Sequence, residues 1–227
     1  MKREKNKGMG LLIIAALLMV LAVAGPANAD TIFNLTSDHC TGGCGTPPFG
    51  TVTLLQNGTT VDTTVHLNSP NQFVKTGSVD FLAFKFNATG VVVGDITVNQ
   101  NAPNPLTAVT GLFNGDGTGD FAFGISCAAC SNGASGRFAT DIIFHVANAV
   151  IADLTAANAL GNIFVADIIS CNTATCGSGT GTGNTGPVDV TSPSGGGQAA
   201  VVPEPASLLL LGTGLGFVAL RLRRKVR

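Results

Sequence analysis

Between residues 61 and 67 apolar and polar side chains take strict turns: Val61, Thr63, Val65 and Leu67 alternate with Asp62, Thr64 and His66. A period of two puts the two sets on opposite faces of an extended strand, one toward a core and one toward water. Thr51-Val52-Thr53-Leu54-Leu55 precedes this stretch, so the pair predicts a β-hairpin turning at Asn57-Gly58. The same reading finds strands over residues 79–86, 91–98, 121–125, 137–146 and 163–169, each bounded by Gly, Asn, Asp, Pro or Cys. At least seven strands emerge. Residues 151–160 alone have helix-like composition, and Gly161-Asn162 would stop that helix. Some strands are apolar on both faces, as in Phe81-Leu82-Ala83-Phe84, which suits the interior of a two-layer structure. The expected fold is all-β: an antiparallel two-sheet β-sandwich, jelly-roll-like, with at most one short helix.

Two apolar stretches do not alternate, and they lie at the two ends. Lys2, Arg3, Lys5 and Lys7 precede an apolar run from Leu11 to Ala24, then Gly25-Pro26 and the small-residue site Ala27-Asn28-Ala29. This is the pattern of a secretory signal peptide over residues 1–29, leaving Asp30 first in the exported chain. At the other end, Ala206 to Leu220 is uncharged for 15 residues. As a helix it would be about 22 Å long against a hydrocarbon core of roughly 30 Å, and a transmembrane helix of about 206–222 is expected. Arg221, Arg223, Arg224, Lys225 and Arg227 follow, holding the terminus on the cytoplasmic side and everything upstream outside. Pro203 and Pro205 bar an upstream helix and keep Glu204 extended and accessible. Gly212 and Gly216 form a G-x-x-x-G pair, a spacing common in membrane helices whether or not they associate.

Pro203-Glu204-Pro205, the apolar run and the basic end, in that order, resemble the PEP-CTERM sorting signal. The resemblance implies recognition by a membrane-embedded exosortase in a Gram-negative bacterium, after a signal peptidase has acted at the other end. It covers roughly the last 25 residues and is an address rather than an activity. In the body of the chain Phe49-Gly50-Thr51-Val52-Thr53-Leu54, residues 60–65, Phe73-Val74-Lys75-Thr76-Gly77 and residues 184–189 look like segments of small PEP-CTERM proteins, for which a β-sandwich is implied. The expected organisation is a signal peptide (1–29), an exported sandwich (30–176), a Gly/Thr/Ser-rich spacer with a last edge strand near residues 187–190 (177–200), and the sorting signal (201–227).

With the ends set aside, the charge balance changes. Between Asp30 and Val202 only Lys75, Lys85 and Arg137 are basic, against 11 Asp and no Glu, so 3 minus 11 leaves a net charge near −8. Such a domain is repelled by nucleic acid and anionic lipid, which excludes nucleic acid as a partner and suits cation binding or solubility in the envelope.

Six cysteines form three close couples: Cys40 with Cys44, Cys127 with Cys130, Cys171 with Cys176. Even number and an oxidising compartment argue for disulfides, most simply within each couple, although six thiols allow about 15 connectivities. A redox Cys127-Ala128-Ala129-Cys130 would want a helix after its first Cys, but Ser131-Asn132-Gly133 follows; a zinc site built from two couples is the other sharp reading.

Residues able to do chemistry are sparse. Asn114, Asp116, Thr118 and Asp120 set side-chain oxygens at alternate positions, as a calcium loop would, but Ile125 stands where a closing acid is needed, and Asn/Asp/Gly runs also make plain turns. Calcium is therefore the one cofactor the chain suggests. His145 shares a strand face with Asp141, an arrangement that could orient an imidazole as a base, yet no nucleophile elbow or H-E-x-x-H accompanies it. His39 and His66 read as surface or core residues. Asn34, Asn57 and Asn87 open glycosylation sequons that carry little meaning in a bacterium. The chain has no Trp and no Tyr, the rings on which sugar platforms are usually built.

The reading that fits these features is an exported structural or adhesive component of the cell envelope, not an enzyme. It would be anchored through its C-terminus before processing, with extracellular polysaccharide as a further partner. A calcium-dependent carbohydrate-binding module is the alternative, and a hydrolase the third.

Overall fold

A computed structural model describes residues 30–76, 81–99, 105–170, 184–191 and 200–201. The strands are β1 Asp30–Leu35, β2 Ser37–Asp38, β3 Gly50–Asn57, β4 Thr60–Leu67, β5 Gln72–Phe73, β6 Leu82–Phe86, β7 Ile96–Val98, β8 Leu106–Asn114, β9 Asp120–Cys127, β10 Ile142–Ala147, β11 Asn162–Ser170, β12 Asn184–Thr191 and β13 Ala200–Val201, with one short helix, α1, at Ile151–Leu154. They form two antiparallel sheets. The first has the order β13-β1-β3-β4-β10-β7; the second runs β2-β12-β11-β6-β9-β8, with β5 also beside β11. Among the described residues no closed barrel forms, in line with the two-sheet expectation. The compact unit runs from Asp30 to Val201, so β12 and β13 belong to it, beyond the boundary expected at residue 176.

The alternation in β4 works as its residue types demand. Val61, Val65 and Leu67 are buried, while Asp62, Thr64 and His66 face outward. The hairpin with β3 pairs Gly50 with Leu67 and Asn57 with Thr60. Its turn lies one residue later than the sequence suggests, at Gly58-Thr59, because Gly58 alone takes a positive φ, +61°, and supplies the first turn position.

Several expected elements are shorter than their composition implies. Val91 and Val92 are not in a strand: Val93–Asp95 is a 3-10 turn in which the Asp95 carboxylate accepts the Val92 N–H at 3.0 Å. Asp153 does the same for Val150 at 2.9 Å and opens α1, which stops after four residues rather than reaching residue 160. Downstream, Asn158 Oδ1 accepts the N–H groups of Leu160 and Asn162, each at 3.0 Å, and this local bonding competes with further helix. The strand expected over 137–146 begins only at Ile142, since Phe138 is drawn into an isolated bridge with Phe73 and stacks on it with ring centroids 5.2 Å apart.

The core lies between the sheets. Phe144 of β10 stacks on Phe86 of β6 (5.2 Å) and tilts against Phe84 (6.1 Å), and Phe33 of β1 meets Phe164 of β11 edge-on at 5.3 Å. Each is wholly or almost wholly buried, which stabilises the fold by about 1.5–3 kcal/mol per side chain. At Thr36 the chain passes from one sheet to the other: β1 pairs with β3, then the N–H groups of Thr36 and His39 bond Asp189 O and Pro187 O of β12, both at 3.1 Å. These crossings lace the two layers together.

The strand directions sort the connections into two ends. The segments 58–59, 87–95, 115–119 and 148–161 lie at one end, with Asp30 and Thr191. The other end carries both described disulfides, Cys40–Cys44 and Cys127–Cys130. There Lys75 Nζ donates to the carbonyls of Cys127 and Cys130 at 2.8 and 2.9 Å, closing the second disulfide loop against the segment after β5. Cys171 and Cys176, the expected signal peptide and the whole apolar tail lie outside the described residues. Among the described residues no helix is long and apolar enough to cross a membrane.

Candidate functional site

The Asn114–Asp120 segment is a tight turn joining β8 to β9. Thr118 N–H donates to Gly115 O at 3.1 Å, and Asp116 (φ +50°) and Gly117 (φ +97°) occupy the two central positions, both left-handed as a type I′ turn needs. The four residues expected to share a cation do not converge in one way. Asn114 Oδ1 accepts the Asp116 N–H at 2.9 Å, and Asn114 Nδ2 donates to Asp120 Oδ1 at 3.4 Å, so Asn114 and Asp120 stand side by side. Thr118 is buried, its hydroxyl donating to Gly115 O at 2.7 Å, while its carbonyl accepts from Asn158 Nδ2 and Asn162 Nδ2, both at 2.7 Å. Asn114 and Asp120 face a shallow depression of about 350 Å³ completed by Gly117, Gly119, Ala159 and Leu160.

The histidines are all paired, but with partners the sequence did not indicate. Asp141 and His145 do share the outer face of the first sheet. Strand register then sends them across to β4: His145 stands opposite Asp62, with Nδ1 2.6 Å from Asp62 Oδ1, while its Nε2 lies 3.1 Å from Asn99 Oδ1. Asp141 instead meets His66 Nδ1 at 2.8 Å. The result is two cross-strand Asp/His pairs of opposite sense separated by Thr64 and Ile143, on a face that also carries Thr51, Thr53 and Thr97. Each imidazole is held by a carboxylate, and among the described residues the hydrogen bonds of these two pairs reach no serine or cysteine.

A third pair sits where β2 joins β12. His39 Nε2 lies 3.0 Å from Ser37 Oγ and 3.2 Å from Asp189 Oδ2. A nucleophilic triad would need serine and carboxylate on different ring nitrogens, so that the proton taken from one side is balanced from the other. Here both address Nε2, and the cluster is a clasp between two strands. Asp189 is buried, and that burial raises its carboxyl above the ordinary 3.8, with the Ser37 hydroxyl and the His39 ring pulling the other way. Nearby, Asp38 Oδ1 and Oδ2 accept the N–H groups of Cys40 and Cys44 at 2.9 and 2.7 Å. Asp38, Cys40 and Cys44 lie close enough to suggest a metal group, but both thiols are spent in a disulfide and the carboxylate is spent on their backbone.

The last described residues lead into the sorting signal. β13 pairs antiparallel with β1, Thr31 opposite Val201 and Ile32 opposite Ala200, so the chain leaves the sheet beside Asp30, two residues before Pro203. A family model of the PEP-CTERM protein-sorting motif matches residues 201–225. The chain ends in a PEP-CTERM sorting motif. The motif makes it an exported chain sorted through its C-terminus by an exosortase, its processing partner. No curated protein and no solved structure matches the chain. The PEP-CTERM match begins within β13, so folded body and sorting signal share Val201. Pro203, Glu204, Pro205 and the basic residues 221–227 lie outside the described residues.

Proposed function

We propose that the exported domain of this PEP-CTERM protein is a structural or adhesive component of the cell envelope that holds polysaccharide by hydrogen bonds across a sheet face. The observation that carries this reading is the outer face of the first sheet. Threonines 51, 53, 64 and 97 and the Asp62/His145 and His66/Asp141 pairs give it hydroxyls, carboxylates and imidazoles at strand spacing, on a surface held rigid by the aromatic core beneath. Such a face offers many weak donors and acceptors to a repeating polar chain. Affinity electrophoresis of the protein through gels cast with neutral and acidic polysaccharides tests it. Retardation that weakens when Thr53 and Thr64 are both changed to Val supports the reading, and unchanged mobility in every gel defeats it.

Calcium-dependent carbohydrate binding is the second reading, favoured by Asn114 and Asp120 standing together at the rim of the depression beside Leu160. Calorimetric titration with millimolar calcium decides it. Heat that disappears in Asp120→Ala would support a cation at this turn, and no heat would remove it.

A further inference from the structure

The exposed large hydrophobic side chains of the described residues are Val92, Val93, Leu112, Val150 and Leu160. They are not scattered. Val92 and Val93 lie in the 87–95 connection, Val150 and Leu160 in the 148–161 connection, and Leu112 two residues before the β8–β9 turn, so every one is at or near the same end of the sandwich. Their exposure ranges from 37% at Val93 to 82% at Leu112. Isolated exposed aliphatics need no explanation; five at one end do.

The same end is tied together from below. Gln56 bridges the hairpin to the 148–161 connection, donating to Ala149 O at 3.1 Å and accepting from Ile151 N–H at 2.9 Å. Thr89 N–H donates to Asp153 O at 2.9 Å, and Asn158 reaches Thr118 O. Asp95 and Asp153 turn their carboxylates onto the backbone N–H groups of Val92 and Val150, which fixes the turns that expose those valines.

This is also the end from which the sorting signal leaves. β13 runs toward Asp30, and Ala206, where the apolar run begins, lies five residue steps beyond Val201. Five such steps span at most about 17 Å even when fully extended. Without β13 the leash would start at Thr191; with it, the leash starts at Val201, on the loop end. We infer that this loop end, through Val92, Val93, Val150 and Leu160, rests on the lipid bilayer while the C-terminal segment is inserted. The bilayer it fits is zwitterionic, because Asp116 and Asp120 lie at this end and Lys75 and Arg137 lie at the other. Tethering makes the contact effective: a surface held within a few tens of ångströms is met at high local concentration, so modest apolar burial suffices. The inference rests on the exosortase-sorted, C-terminally anchored reading and adds a surface and a ligand to it.

The absence of Trp and Tyr supplies a clean probe. Single-tryptophan variants Val150→Trp, Leu160→Trp and, at the opposite end, Asn132→Trp would be made in the full chain, exported in an expression host and reconstituted in phosphatidylcholine vesicles with brominated acyl chains. Flotation reports anchoring; indole quenching reports which end touches lipid. The expected result is at least twofold quenching with a blue shift at 150 and 160, none at 132, loss of quenching at 150 when Val92→Asp and Val93→Asp are added, and weaker quenching when anionic lipid is mixed in. Chains that float with all three indoles equally unquenched would overturn the surface and leave the anchor standing. Chains that fail to float would overturn both. Quenching that needs a second membrane protein in the vesicle would assign the face to that protein and overturn the lipid contact.

Discussion

Phe144→Ala tests whether the two sheets are held together where the ring contacts place the core. Phe144 is fully buried on β10, stacked at 5.2 Å and 25° on Phe86 and tilted at 6.1 Å on Phe84, both from the facing sheet. Truncation removes the transfer energy of a buried ring and leaves a void that rigid strands on both sides cannot close, a change that costs about 3–5 kcal/mol. The two ring pairs are part of that loss, each worth roughly 0.5–1.5 kcal/mol beyond the area buried. Set against a net stability of about 5–15 kcal/mol, the variant should lose a large fraction of its margin, and its Tm should fall by roughly 6–20 °C for a domain of this size. Phe144→Leu, which keeps much of the volume, should lose less than half as much. Urea unfolding of the oxidised Asp30–Val201 unit, followed by circular dichroism with unchanged m-value, measures both. A loss under about 1.5 kcal/mol for Phe144→Ala would mean that the sheets do not close over this ring, and the facing of β6 and β10 would be refuted.

The folded-state pKa of Asp189 is raised by burial, so the unfolded chain ionises first as pH climbs past 3.8 and stability falls through that window; Asp189→Asn should therefore be more stable than the parent at pH 7, with the advantage gone below pH 3.8, as thermal unfolding at several pH values would show. Replacing Cys127 and Cys130 by Ala opens a loop of sequence separation 3, and chain entropy limits the loss to about 2 kcal/mol, readable by comparing unfolding midpoints. His66→Ala breaks an exposed pair with Asp141 and should cost under about 1 kcal/mol in the same assay. Changing Asp116, at φ +50°, to Ala should destabilise the β8–β9 turn by about 1 kcal/mol, while Asp116→Gly should not, which separates a backbone role from a cation-binding one.

Much of this protein is written locally and can be read without its fold. Strict alternation in residues 60–67 specifies a half-buried strand because side-chain direction in an extended chain depends on nothing but position parity. The sorting motif is likewise local, since an extended prolyl segment, an apolar run and a basic cluster act through their order along the chain. Two of the three cysteine couples were legible for the same reason: bridges across separations of 4 and 3 join residues that are neighbours in any conformation. β8 escaped notice because it is an edge strand with a register shift between Thr110 and Phe113 and mostly exposed side chains, so no buried face imprints a period on it.

Partnership and position were decided by tertiary structure. Asp141 and His145 look like a pair in sequence, yet each bonds a residue of β4, because strands meet side by side and a cross-strand neighbour is nearer than one four positions along. That Asp189 clasps His39, that Thr118 turns inward, and that five exposed aliphatics gather where β13 releases the chain all follow from register and strand direction. Those are set by which sheets can close over the phenylalanine core, an agreement among distant residues that no single stretch contains.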